Sequence, residues 1–113
     1  MSAIDKFRAR YVGLGRLRIY VPELDLDIWS KPYTLLDEQE LSQQVSDLNS
    51  PESFIALIIR KAEAEDGSRL FKPEDAPVLK RVGEASLLKS IALRIITSDT
   101  DGVDAAEKSE ATP

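Results

Sequence analysis

The chain contains no cysteine and no histidine among its 113 residues. The lack of cysteine excludes disulfide bonds, thiolate nucleophiles and thiolate metal ligands. The lack of histidine removes the commonest general base and the commonest metal ligand, so carboxylates, lysines and hydroxyls are the only chemically active side chains left. We therefore expect a protein that is not an enzyme and that has no cofactor and no metal.

Long apolar runs are missing as well. The N-terminal segment carries Ser2, Asp5, Lys6, Arg8 and Arg10, so it does not supply the uninterrupted apolar stretch of a secretory signal. No run of apolar residues approaches the length that spans a membrane. We therefore expect a soluble protein that stays in the cytoplasm of the cell that made it and has no membrane partner.

The composition is that of a globular protein, with 42% hydrophobic and 31% charged residues. The length allows one domain with a modest core. Periodic apolar residues continue as far as Thr97, which predicts one domain over residues 1–97. Residues 98–113 are acidic and have no periodicity, so we expect a disordered tail there.

The net charge of -5 is unevenly distributed along the chain. Residues 1–20 hold five basic side chains and one acid, whereas residues 21–59 hold one basic side chain and eight acids. The overall acidity and the lack of interleaved aromatic residues argue against a nucleic-acid partner. We therefore interpret the arginines of the first segment as ordinary exposed charge rather than as a phosphate-binding patch: Arg8, Arg10, Arg16 and Arg18.

The first residues predict a short helix. Ser2 is a typical N-cap, and Ile4 and Phe7 stand three residues apart, so they share one face of the helix. We expect this apolar edge to pack against the domain. Gly13 and Gly15 are expected to end the helix. They precede a strand, so they do not have the strand-to-helix context of a phosphate-binding loop.

A β-hairpin is predicted over residues 16–29, because apolar residues recur there at every second position. Pro22-Glu23 fits tight two-residue turns poorly, so we expect a wider loop that still pairs the same faces. The predicted register pairs Val21 with Leu24, Ile19 with Leu26, Leu17 with Ile28 and, on the other face, Arg18 with Asp27.

Cap residues then predict four further helices. Thr34 and Ser50 are N-cap signals, and Gly67 and Gly83 mark helix ends. The predicted ranges are 34–49, 50–66, 73–82 and 84–97. The predicted fold class is therefore α+β, mainly α, with an N-terminal antiparallel β-hairpin packed on a bundle of about four helices.

The helix predicted over residues 50–66 carries more apolar surface than one ordinary buried face. Its apolar side chains cover about 200° of the circumference. Such a helix is either central in a small domain or shares its surplus surface with a partner. Trp29 and Tyr33, at the exit of the hairpin, are either interface anchors or core residues. The candidates for client or self contact on the helix are Phe54, Ile55, Ile58 and Ile59.

Two groups of acidic residues are candidates for a catalytic or metal site. Asp25 and Asp27 share one strand face, but Arg18 is the expected partner of Asp27, which favours a charged outer sheet face over a catalytic pair. Asp99 and its acidic neighbours near Gly102 lack the terminal bidentate glutamate and the flanking helices of a calcium loop. Neither group predicts a catalytic or metal site.

Three groups of short sequence segments follow one another along the chain. They are residues 31–36 (Lys-Pro-Tyr-Thr-Leu-Leu) followed by acids, residues 58–62 (Ile-Ile-Arg-Lys-Ala) leading to residues 66–71 (Asp-Gly-Ser-Arg-Leu-Phe), and residues 74–79 with the closing helix 87–96. In this order, over roughly residues 14–97, they resemble the tail assembly chaperones of long-tailed bacteriophages.

The resemblance implies a non-enzymatic, mostly helical protein with a small sheet that tends to form homo-oligomers. It implies binding to the tape measure protein, which such chaperones keep soluble until tail tube subunits polymerise around it, and possible contact with the tail tube protein. It also implies a location in the host cell cytoplasm and absence from the mature virion. Alternative interpretations are a structural virion protein of the tail or connector and, less favoured, an acidic regulator of a nucleic-acid site.

Overall fold

The helices and strands follow the order that the sequence predicts. The computed structural model describes residues 2–98. Its elements are α1 (Ala3–Leu14), β1 (Leu17–Val21), β2 (Leu26–Ser30), α2 (Leu35–Gln44), α3 (Pro51–Lys61), a 3₁₀ turn (Pro73–Asp75), α4 (Ala76–Val82) and α5 (Ala85–Thr97). The described part of the chain is mainly helical (58%) with an N-terminal antiparallel hairpin, so the predicted fold class is confirmed. From residue 99 onward, the predicted tail lies outside the described residues.

The hairpin pairs the predicted faces in a register that differs by two residues. Val21 lies opposite Leu26 and Ile19 lies opposite Ile28, whereas the sequence predicted Leu24 as the partner of Val21. Side chains on a strand alternate between faces, so a shift of two residues keeps the apolar face intact. Ile19, Val21 and Ile28 are accordingly all 0% exposed.

The connection between the strands explains the shift in register. Four residues, Pro22 to Asp25, form the loop, and its first turn is closed by the Leu24 N–H, which donates to the Val21 carbonyl at 3.1 Å. Asp25 has a φ of 47°, a left-handed conformation that aspartate tolerates better than most residues. Leu24 therefore sits in the loop, half exposed, rather than in the strand.

A short extended segment after α3 adds to the edge of the hairpin. The Trp29 N–H donates to the Glu63 carbonyl at 2.8 Å, and the Glu63 N–H donates to the Trp29 carbonyl at 2.7 Å. This exchange of hydrogen bonds requires extended backbone at Glu63, so α3 ends at Lys61. The predicted end of this helix at residue 66 was wrong because the chain leaves the helix to satisfy the free edge of β2.

Side-chain caps begin the two central helices as predicted. The Thr34 hydroxyl accepts from the Asp37 N–H, and the Asp37 carboxylate accepts from the Thr34 N–H, which completes a capping box at the start of α2. The Ser50 hydroxyl accepts from the Ser53 N–H at the start of α3. The predicted end of α2 near residue 49 was wrong, because Val45 already has extended backbone.

Helix α3 lies at the centre of the domain and packs against α2, α4 and α5. The hairpin closes one side of the core, and α5 also contacts β1. This arrangement accounts for the wide apolar arc of α3, because neighbours on several sides cover it. The core residues are Ile19, Val21, Ile28, Leu41, Leu57, Ile58, Ala62, Ile91, Ala92 and Ile95.

Helix α1 has the predicted N-cap, Ser2, and continues through Gly13 to Leu14. Gly15 ends it with a φ of 59°, a conformation that glycine adopts without strain. The predicted packing of its apolar edge was wrong. None of its residues is buried, and Ile4 and Phe7 are 58% and 74% exposed.

The junction between α4 and α5 has no space for a side chain at Gly83. A Cβ added there would lie 2.6 Å from the Leu79 carbonyl oxygen and 2.9 Å from Leu88 Cδ1. We expect Gly83→Ala to lower the free energy of unfolding by about 1–3 kcal/mol, measured by urea denaturation. Gly13→Ala is the matched control, because no atom lies within 4 Å of its added Cβ. Equal stability of the two variants would contradict this packing.

Candidate functional site

An apolar groove of about 700 Å³ runs between α3 and α4. Helix α3 contributes Ile55, Ala56 and Ile59 to its lining. The 3₁₀ turn and the start of α4 contribute short or rigid side chains: Pro73, Ala76 and Pro77. These side chains do not fill the space between the two elements, so the groove stays open. Its size lies within the range of sites that bind ligands or side chains of a partner.

Charged residues surround the apolar lining of the groove: Glu52, Arg60, Arg69 and Lys80. Lys80 Nζ lies 3.7 Å from Glu52 Oε1 and links α4 to α3, but both side chains are more than half exposed, so the pair contributes little to stability. Arg60 contacts the carboxylates of Asp37 and Glu40 on α2. Arg60 and Lys80 thus both face carboxylates of the chain itself, so their charges at the rim are largely balanced.

A largely buried ion pair holds α2 against α3, the helix that contributes most to the groove. Lys61 is 8% exposed. Its ammonium group donates to Asp37 Oδ2 at 3.0 Å and to the Pro32 carbonyl at 3.2 Å. Desolvation alone would raise the pKa of Asp37, but hydrogen bonds from Thr34 and from Lys61 outweigh it and lower the pKa below its ordinary value of 3.8. Asp37 thus stays ionised opposite Lys61.

The four predicted contact residues of α3 have three different locations. Ile55 and Ile59 line the groove and are only 6% and 8% exposed. Phe54 is half-buried and lines a second cavity of about 200 Å³ with Leu88 of α5. Ile58 is 1% exposed and belongs to the core. The structure therefore places Ile58 in the core and not at the groove, so its side chain is not accessible to a partner in this conformation.

Trp29 lies away from the groove, at the edge of the hairpin. The guanidinium carbon of Arg16 is 5.1 Å from the centre of its ring. The same guanidinium group donates to the Ala64 carbonyl at 3.1 Å and to Glu63 Oε1 at 3.3 Å. Arg16 and Trp29 therefore hold the segment after α3 against the sheet. Both residues thus have a structural role in the fold.

Tyr33 is half-buried and packs against the core before α2 begins. Burial raises the pKa of its hydroxyl, and the carboxylates of Glu38 and Asp37 add to this rise. It does not line the groove. The structure thus brings Ile55 and Ile59 together at one surface, and it separates them from both aromatic candidates.

The sequence did not predict the part that the 3₁₀ turn and α4 play in the groove. The one signal for it is the Ala76-Pro77 pair, since small residues at the start of a helix leave space against a neighbour. Nothing in the periodicity indicates which neighbour that is. Lys61 was also missed, although it stands three residues after Ile58 and seven after Phe54, within the apolar arc of α3.

Within residues 2–98, no three acidic side chains come together in a way that could hold a metal ion. None of the helices in this range combines the length and the apolar character needed to cross a membrane. No family model, no curated protein and no solved structure matches the chain. A proposal about the function therefore rests on the geometry of the groove and on the pattern of the sequence.

Proposed function

We propose that this protein is a tail assembly chaperone of a long-tailed bacteriophage, which binds the tape measure protein and keeps it soluble during assembly of the tail tube. The apolar groove between α3 and α4 is the observation that carries this proposal. It is open and apolar, and residues 14–97 resemble the chaperone family. The activity is binding without catalysis, in the host cell cytoplasm, and the mature virion lacks the protein.

In the proposed complex, a helical stretch of the client lays apolar side chains into the groove against Ile55, Ala56 and Ile59. A helix in a groove is a common mode of recognition, and it requires an apolar stripe on the client. Tail tube protein releases the client by covering the same stripe, so binding is reversible.

Arginine substitutions within the groove test this proposal. Ala56→Arg and Ala76→Arg each introduce a long charged side chain into the lining from a different wall. We expect each variant to reduce co-purification with the tape measure protein of the same phage by about tenfold or more, because the charge must be desolvated when the client binds. Ser90→Arg, on an exposed position of α5, is the matched control and is expected to bind normally.

Because two independent variants are used, the test remains valid if one of them fails to fold. Circular dichroism and thermal unfolding identify any variant that fails to fold, and only folded variants are compared. Full retention of the tape measure protein by folded Ala56→Arg and Ala76→Arg would contradict the proposed site. Failure of the wild-type chain to bind any segment of the tape measure protein would contradict the proposed function itself.

The alternative is a structural virion protein of the tail or connector. Large exposed apolar side chains on α1 and α2 favour it, because such surfaces are typical of subunits that assemble. Mass spectrometry of purified virions distinguishes the two functions. A chaperone is absent from the mature particles, whereas a structural protein is present in a fixed ratio to the other tail proteins.

A further inference from the structure

Residues 72–83 form a strap that makes one wall of the groove. The strap contains the 3₁₀ turn and α4 and lies against α3. Ile55 and Ile59 of α3 line the groove, yet they are only 6% and 8% exposed. In this conformation the strap and its neighbours therefore leave little of the two isoleucines within reach of a second protein.

The strap is attached to the core at its two ends. Leu70 and Phe71 precede it, Leu87 and Leu88 follow it, and all four pack against the core. No residue of the strap is buried, and the described residues that pack against the core include none from the strap. Since the strap buries little apolar surface, the hydrophobic effect contributes little to holding it in place.

The hydrogen bonds of the strap have their partners inside the strap. The Lys72 N–H donates to Asp75 Oδ2, and the Asp75 N–H donates to the Lys72 carbonyl, both at 2.8 Å. At the other end, the Gly83 N–H donates to the Leu79 carbonyl at 2.8 Å. Within residues 2–98, movement of the strap as a unit therefore breaks no hydrogen bond to the rest of the domain.

An ion pair joins the strap to α3. Lys80 Nζ of the strap lies 3.7 Å from Glu52 Oε1, and the two side chains line opposite walls of the groove. They are 69% and 58% exposed, so water and salt screen their attraction. The pair therefore favours one position of the strap but opens at little cost.

We propose that the strap moves away from α3 to expose Ile55 and Ile59, with the ion pair between Glu52 and Lys80 as its latch, and then closes over the apolar stripe of the client. The role in client entry rests on the proposed function, whereas the movement is a property of the free protein. Because the client enters only the open form, its apparent affinity is reduced by the fraction of protein in that form.

A single cysteine in the groove measures the opening without any client. The chain has no cysteine of its own, so Ile59→Cys supplies the one thiol that a bulky reagent can modify. We expect Lys80→Gln to raise the reaction rate about two- to fivefold, because loss of an exposed ion pair shifts the opening equilibrium by about this factor. Arg81→Gln is the matched control. It removes the same charge from an exposed position of the strap that has no ion pair within the described residues, so the rate is expected to stay unchanged.

Ile58→Cys distinguishes movement of the strap from unfolding of the whole domain. Ile58 is 1% exposed and belongs to the core, so a thiol there reacts only when the domain unfolds. We expect the thiol at position 59 to react about tenfold faster or more. Equal rates at the two positions, a rate at position 59 that Lys80→Gln leaves unchanged, or an equal rise with Arg81→Gln would each overturn the proposal.

A locked strap tests the role in client entry. In Glu52→Cys/Lys80→Cys, a short crosslinker with disulfide bonds that a reductant breaks joins the strap to α3. We expect the crosslinked protein to bind the tape measure protein about tenfold more weakly or less than the same protein after reduction, because the open form is not populated. Equal binding of the two forms would contradict the role in client entry. Absence of binding by both the reduced variant and the wild type would instead contradict the proposed function, and the thiol reaction rates would still decide whether the strap moves.

Discussion

Replacing Asp37 by asparagine is expected to lower the free energy of unfolding by about 3 kcal/mol at neutral pH. The substitution leaves the ammonium group of Lys61 buried without a negatively charged partner, with only neutral acceptors such as the Pro32 carbonyl and the asparagine amide oxygen. An uncompensated buried charge is more costly than the loss of an exposed ion pair. The same change weakens the capping box at Thr34.

The pH dependence of stability provides a second test of the ion pair between Asp37 and Lys61. Because the pKa of Asp37 in the folded state lies below its ordinary value of 3.8, its contribution to stability is complete above that value. It is lost as the pH falls through the folded-state pKa. We therefore expect the stability difference between the wild type and Asp37→Asn to be constant near neutral pH and to shrink below about pH 4.

Glu38→Gln is the matched control for Asp37→Asn. Glu38 is the next residue of α2 and is exposed, so its substitution is expected to change the free energy of unfolding by no more than about 0.5 kcal/mol. Urea denaturation at several pH values measures all three proteins. A loss of stability that is equal for the two variants, or independent of pH for Asp37→Asn, would contradict a structural role for the buried pair.

Ile58→Ala is expected to lower the free energy of unfolding by about 2–5 kcal/mol, the range for deletion of a buried aliphatic side chain. Ile58 is 1% exposed and lies where α3 meets the rest of the core. The size of the loss depends on how far the neighbouring side chains relax into the cavity. A residue reserved for contact with a partner would cost far less.

Ile4→Ala gives the control for Ile58→Ala with the same change of side chain. Ile4 also lies on a helix but is 58% exposed, so its substitution is expected to cost about 0.5 kcal/mol or less. Denaturation at low protein concentration keeps any self-association out of the comparison. Similar losses for the two variants would mean that Ile58 is not the core residue that the structure describes.

The faces of the hairpin could be predicted from the sequence, but its register could not. Alternation of apolar residues indicates which side chains point inward, and Ile19 and Ile28 are both fully buried. The length of the loop decides the pairing. Pro22 and Asp25 allow loops of more than one length. Any shift of the strand register by two residues keeps the same side chains on the apolar face, so the alternation does not distinguish these registers.

The bounds of α3 illustrate the same limit for helices. Its start could be predicted because Ser50 and Pro51 act locally. Its end could not, because Glu63 adopts extended backbone only when Trp29 of β2 offers its free N–H and carbonyl. Contacts between residues distant in the chain decide where such a helix ends. Local sequence features such as Gly67 do not reveal those contacts.

Two of the four contact residues predicted on α3 lie at the candidate site. Ile55 and Ile59 line the groove, but the apolar arc alone could not separate them from Ile58, which faces the core. That distinction depends on which helices surround α3. The exposure of α1 was missed for a related reason, because an apolar edge predicts a buried surface without indicating whether its partner lies in the same chain.

Hydrogen–deuterium exchange of the full chain, with and without the tape measure protein of the same phage, tests the central proposal most directly. If the client occupies the groove, the amides of the 3₁₀ turn and α4 exchange more slowly in the complex, because the short α4 opens less often when both walls are held. Amides of the hairpin, away from the groove, are expected to change little. Binding of the tape measure protein without any new protection over residues 73–82 would contradict the account.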